Sequence, residues 1–202
     1  MIRAFLAVEL SEDLRTQLAH VQQDLKQRLG RDFAKDVRLS WVQPALIHLT
    51  VKFLGDIEES LVDPMRQAIE QVVKAHRILH IPIERLGAFP HLQQPRVLWA
   101  GASEQWERGE DAQRLSALHR SVEDGCELLG CAREGRPLSP HLTLARIKAG
   151  ERHVGQALAQ SGVMDRPLAL GALAVESVVL MKSELAPSGP VYTKLWDARI
   201  GS

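Results

Sequence analysis

The chain has 202 residues but only two cysteines, Cys126 and Cys131. Their spacing near the end of an expected helix suits neither a zinc knuckle nor a redox pair, and small buried residues are expected there. Neither sign of charge is in excess, since 25 Lys and Arg balance 25 Asp and Glu. That argues against a protein that coats duplex DNA by releasing counterions, but not against one that holds a small anion or an RNA end with a few cations. No run approaches the roughly 18 apolar residues of a membrane span. "MIRAFLAVEL" meets "SEDLR" at once, without a small-residue cleavage site, and so reads as a first strand and not as a signal peptide. No Pro/Gly/Ser-rich linker divides the chain. No G-x-S-x-G elbow is present, which leaves acyl hydrolysis the least favoured chemistry. What remains is 45% hydrophobic and 25% charged, a composition that argues against disorder and a length that buries a sizeable core. A cytoplasmic monomer is expected.

The pattern is written twice. In "IRAFLAVEL", Ile2, Ala4, Leu6 and Val8 share one face and Arg3, Phe5 and Ala7 the other, which is a strand. Ser11 caps a helix with Leu14, Leu18, Val21, Leu25 and Leu29 at helical period, ended by Gly30. A polar, basic loop runs through Trp41 and Pro44 into a strand holding His48. Asp63-Pro64 opens a second helix with Met65, Ile69, Val72 and Val73 inward. "ILHIPIERLGAF" reads as a strand, with Pro82 at an edge or entry. A shift of 93 residues repeats this order. Arg3 falls on Arg96, and "RVLWAG" is a strand. A helix with Leu115, Leu118, Val122 and Leu129 inward follows, then a strand around His141. A short helix from Val154 to about Gln160 stops at Gly162, and "LALGALAVESVVLMKSEL" supplies strand. "PVYTKLWDARI" closes the chain. The expectation is an α+β fold: one bilobal domain, its first repeat about 1–90, its second about 95–183 and its closing strand about 190–200. Each repeat is β-α-β-α-β with an antiparallel sheet. A pseudo-twofold axis relates the two lobes across a central cleft.

Both repeats carry H-L-T, at His48–Thr50 and His141–Thr143. Residues two apart on a strand point the same way, so each pair shares a face, while Leu49, Val51 and Phe53, and likewise Leu142 and Leu144, point into the core. The chain has eight histidines and four threonines, and two of those threonines sit two residues after a histidine. Random placement does this roughly one time in a hundred, before the repeat equivalence is counted. His20, His76, His80, His91, His119 and His153 show no such pairing and are read as structural. Two imidazoles without a neighbouring carboxylate or thiolate make a poor zinc site, and no metal or cofactor is expected. They make a good acid–base pair, because with ordinary pKa near 6.5 one can be neutral and the other protonated. The threonine hydroxyls can donate to a phosphate between them. Such a site can cleave a cyclic phosphodiester.

With "RAFLAVEL", "LIHLTVKFLGD", "GAFPHLQQPRVLWAG", "RPLSPHLTLARI" and "SELAPSGPVYTKL", the chain resembles, over its whole length, the 2H phosphoesterases. Within these it resembles the bacterial and archaeal RNA 2′,3′-cyclic phosphodiesterase (2′-5′ RNA ligase) family. The resemblance implies hydrolysis of 2′,3′-cyclic phosphate RNA ends to 2′-phosphate, with reversible 2′,5′ joining of ends beside it. It implies His48 as acid toward the 3′ oxygen, His141 as base, Thr50 and Thr143 as phosphate donors and Arg146 as the phosphate-neutralising cation. Arg146 stands at an odd offset from His141, so either the strand twists or bulges after Leu144 and brings it to the cleft, or it is a surface arginine. Phe5 is a candidate for stacking on a terminal base, and Lys52, on the His48–Thr50 face, for added positive charge. Arg133 and Arg136 are weaker candidates for guiding an RNA tail, and Tyr192 belongs to the closing strand without an assigned role. Two other readings stay open: a non-catalytic RNA-end binder, and an enzyme acting on small cyclic or 2′,5′-linked nucleotides.

Overall fold

The structure is a computed structural model describing residues 1–29, 37–187 and 189–201. Gly30, expected to stop the first helix, and most of the basic loop after it lie outside these residues. In chain order the elements are β1 (Ile2–Glu9), α1 (Glu12–Leu29), β2 (Arg38–Trp41), β3 (His48–Ile57), α2 (Val62–Lys74), β4 (Leu79–Pro82), β5 (Arg85–Phe89), β6 (Val97–Gly101), α3 (Glu104–Glu107), α4 (Glu110–Glu127), β7 (Leu142–Ala149), α5 (Glu151–Ser161), β8 (Ala172–Val175), β9 (Ser177–Ala186) and β10 (Gly189–Arg199). The helices form where the apolar period demanded them. On α1, Leu14, Leu18, Leu25 and Leu29 are buried, and Ser11 Oγ accepts from the Leu14 N–H at 3.3 Å, satisfying a donor that the first turn leaves open. On α2, Met65, Ile69 and Val73 face inward. The strand β2 was not foreseen; its four residues pair with β7.

One large sheet runs in the order β10-β9-β1-β3-β7-β6-β5, with β2 also on β7, and β4 and β8 form a separate pair. β3 and β7 meet at a single bridge, Leu49 with Leu142. These leucines are equivalent under the 93-residue shift, so the pseudo-twofold axis passes between them. The β4–β8 pair lies on the same axis. Leu79 pairs with Val175 and Pro82 with Ala172, and the shift carries Leu79 onto Ala172 and Pro82 onto Val175.

The repeat is thus present, with a refinement. The third strand expected in each repeat breaks in two, after Pro82 in the first and after Val175 in the second. Its first part joins the pair on the axis. Its second part crosses over: β5 closes the first repeat yet pairs with β6, and its counterpart β9 pairs with β1. Each half-sheet therefore takes a strand from the other repeat. The register also places Ala7 opposite Thr50 and Trp99 opposite Thr143. At β1 and β6 the structural equivalence is therefore one residue shorter than the sequence shift, and Arg96 corresponds to Ala4 and not to Arg3.

Helices cover one face of the sheet. Cys126 is fully buried in α4, and burial pushes its thiol up to about 12. Cys131 is half-buried just beyond, and both cysteines are free. No helix among the described residues is long and apolar enough to cross a membrane. The other face of the sheet is left to the two histidines.

Candidate active site

His48 begins β3, and His141 immediately precedes β7. Each is anchored in the same way: Nδ1–H of His48 donates to the Leu46 carbonyl at 2.8 Å, and Nδ1–H of His141 to the Ser139 carbonyl at 2.8 Å. A carbonyl can only accept, so both rings carry a proton on Nδ1, and Nε2 is the nitrogen that these bonds leave available. Both imidazoles are half-buried, and burial pulls both pKa values below the ordinary histidine range, the carbonyl bonds opposing this. The Arg146 charge pulls both down further, and His141 does the same to His48. Three cationic or potentially cationic groups thus share one volume, and an anion between them relieves their repulsion.

Aromatic side chains back each ring. Phe5 stacks on His48 with centroids 4.8 Å apart. Tyr192 meets His48 edge-on at 5.4 Å and Phe5 at 5.0 Å, above a small apolar cluster of Phe5, Ala7, Val179 and Met181. On the other side Phe89 meets His141 edge-on at 5.0 Å and leans on Trp99 at 5.2 Å. Trp99 fits because Gly87 lies beneath it: a Cβ there would stand 2.0 Å from the indole. The Trp99 N–H is buried without a protein partner among the described residues.

Two bulges decide what else faces the site. In β3, Lys52 pairs with Leu6 and Thr50 with Ala7, leaving Val51 unmatched. In β7, Ala145 pairs with Leu98 and Thr143 with Trp99, leaving Leu144 unmatched. The extra residue reverses the alternation beyond it. Arg146 therefore emerges exposed on the face of His141 and Thr143. The same device corrects two expectations in β3. Lys52, expected on the cleft face, is 1% exposed, with Nζ donating to Glu123 Oε1 and Oε2 and to the Ala132 carbonyl, each at 2.8 Å. Phe53, expected in the core, is 61% exposed and stands 6.2 Å from Phe5.

Phe5 itself is buried at 4% exposure and covered by His48 and Tyr192, so it buttresses the imidazole and offers no face to a base. Arg133 is bound by Asp124 and Glu127 at 2.6 and 2.8 Å. Arg136 instead lines a cavity beside Phe89 and Ser139. Four contributors escaped the sequence reading: Phe53, Phe89, Trp99 and the buttressing role of Tyr192. Phe89 ends the strand read from "ILHIPIERLGAF", and only the strand exchange brings it to His141.

Among the described residues no three His, Cys, Asp or Glu side chains gather into a metal-ligand set. The site defines a duplicated α+β protein with two opposed, identically anchored histidines on a pseudo-dyad. The family model of the 2′-5′ RNA ligase superfamily matches residues 42–186, and the chain belongs to that family. It is 31% identical over 194 residues to a protein of Methanothermobacter thermautotrophicus named RNA 2′,3′-cyclic phosphodiesterase, covering 96% of both chains. A namesake from Thermus thermophilus is 31% identical, over 96% of this chain and 88% of that one. A crystal structure of a Thermus thermophilus protein superposes with TM-score 0.72 at 28% identity, covering all of both chains. The fold of E. coli LigT matches with TM-score 0.71 at 22% identity, over all of this chain and 98% of that one.

Proposed function

We propose that the chain hydrolyses 2′,3′-cyclic phosphate at RNA ends to a 2′-phosphate. The observation that carries this is the matched anchoring of His48 and His141, which leaves an Nε2 on each side of one small volume. In this reading His141 Nε2 takes a proton from water, the oxygen attacks phosphorus, and the bond from phosphorus to O3′ breaks. His48, protonated on Nε2, gives its proton to O3′. Thr50 and Thr143 donate to the non-bridging oxygens, and Arg146 neutralises the charge that grows on them. A 5′-hydroxyl in place of water gives a 2′,5′ linkage by the same proton movements, and the reverse reaction opens it. Nothing in this sequence of steps calls for a metal or a covalent intermediate. The relatives' shared name points to the same substrate class. Phe53, exposed beside the site, replaces Phe5 as the surface on which a terminal base could stack.

The test is hydrolysis of a synthetic RNA ending in 2′,3′-cyclic phosphate, in excess EDTA, by the wild type, His48→Ala and His141→Ala. A 2′-phosphate product, with turnover reduced on the order of 10²- to 10⁴-fold in each variant, supports the pair. Binding without turnover by the wild type would leave an RNA-end recognition module instead.

A further inference from the structure

A cavity of about 740 Å³ opens beside His141, within the roughly 300–1,000 Å³ typical of ligand sites. It adjoins the site through Phe89 and Ser139, which line the cavity and also touch His141. Phe89 packs on the His141 ring, and the Ser139 carbonyl holds His141 Nδ1. Its wall carries Arg96, Arg136, Gln94 and Glu151. Arg96 is 76% exposed and reaches Glu151 only at 4.0 Å, and Arg136 has no carboxylate partner among the described residues. Two guanidiniums against one carboxylate leave one net positive charge, which matches one phosphodiester and no long track of them. Under the 93-residue shift the residue equivalent to Arg136 on the His48 side is Gln43, so this pair of guanidiniums is not repeated there.

We propose that this groove is a second nucleotide subsite, taking the nucleotide on the 5′ side of the cyclic end and holding the phosphodiester that joins the two with Arg96 and Arg136. The inference rests on the cyclic-end reading of the site and extends it from a terminal nucleotide to at least a dinucleotide. Guanidinium pairs suit this task, since the planar fork meets two phosphate oxygens at once. Glu151 beside Arg96 keeps the groove from retaining a longer anionic chain.

The experiment compares a mononucleoside 2′,3′-cyclic phosphate with a dinucleotide ending in the same group, and with that dinucleotide carrying an uncharged methylphosphonate linkage. kcat/KM is measured for the wild type and for Arg96→Gln/Arg136→Gln, whose fold is checked by thermal unfolding. The wild type should favour the charged dinucleotide over the mononucleotide by about tenfold or more. The methylphosphonate and the double variant should each bring that ratio close to one, and the variant should flatten the salt dependence of dinucleotide turnover. A wild-type ratio near one, or a ratio that survives both changes, overturns the subsite. Failure to turn over any of the three would sink the hydrolase reading instead. Calorimetric binding of the same three ligands then gives the ratio that decides the subsite by itself.

Discussion

Phe53 and Arg146 occupy equivalent places in the two repeats, five residues beyond His48 and His141, and each is turned onto the site face by the bulge just before it. Each bulge is fixed from beneath by the helix that covers it. Gln22 of α1 donates to the Leu144 carbonyl at 2.8 Å and to the Val42 carbonyl at 2.7 Å, while Glu123 of α4 grips Lys52. One backbone device thus delivers an aromatic surface beside His48 and a cation beside His141.

The Lys52–Glu123 pair is almost wholly buried, so removing one partner strands the other's charge. Lys52→Met should cost about 3–5 kcal/mol, whereas Lys52→Met with Glu123→Leu should recover most of it. Urea unfolding of the three proteins checks this, and equal losses in the single and double variants would mean the pair does not act as a unit.

Removing the Gln22 amide acts on the other bulge. Gln22→Leu should cost about 1–2 kcal/mol, because the Leu144 carbonyl keeps its bond from the Val42 N–H while that of Val42 loses a donor. If the bulge loosens, KM for the cyclic substrate should rise several-fold more than kcat falls, since Arg146 loses its aim. Unchanged kinetics would show that the bulge holds without the amide.

The proposed acid–base pair sets two pH dependences. Burial, with Arg146 behind it, lowers both imidazoles. Both limbs of the kcat/KM profile should therefore lie on the acid side of the ordinary value near 6.5, and Arg146→Gln should move them upward as well as raise KM. For stability the sign follows from the same direction. The unfolded chain binds protons first, so stability falls as pH drops below about 6.5 and levels off once the folded pKa values are passed. A His48→Gln/His141→Gln variant should narrow that loss, as denaturant titrations at pH 5 and pH 8 would register.

Trp99 leaves no room above Gly87. Gly87→Ala should displace the indole, destabilise the fold by about 1–3 kcal/mol as overpacking does, and loosen Phe89 behind His141, lowering kcat. A crystal structure or indole fluorescence of the variant would reveal the displacement, and a wild-type spectrum with wild-type kcat would contradict it.

The paired H-L-T strands were legible because period-two geometry and an internal repeat both live in local sequence. Their meeting across an axis followed from the repeat. Arg146 was legible only through family resemblance, because strand parity taken alone pointed it away. The same parity misplaced Lys52 and Phe53. A bulge is written into a strand by partners elsewhere, here Gln22, Val42 and Glu123, and no window around residue 51 or 144 contains them. Nor could the repeat disclose the crossing of β5 and β9: equivalence says which strands correspond, not which ones pair.

That crossing bears on how such a chain could have arisen. A single repeat on its own would carry an outer strand with no sheet of its own to join, and a second copy would supply that sheet and receive a strand in return. One histidine per subunit would then meet its twin at the dyad. The bilobal chain has the form of a strand-swapped homodimer sewn into one polypeptide, after which Phe53 and Arg146 were free to diverge into different tasks.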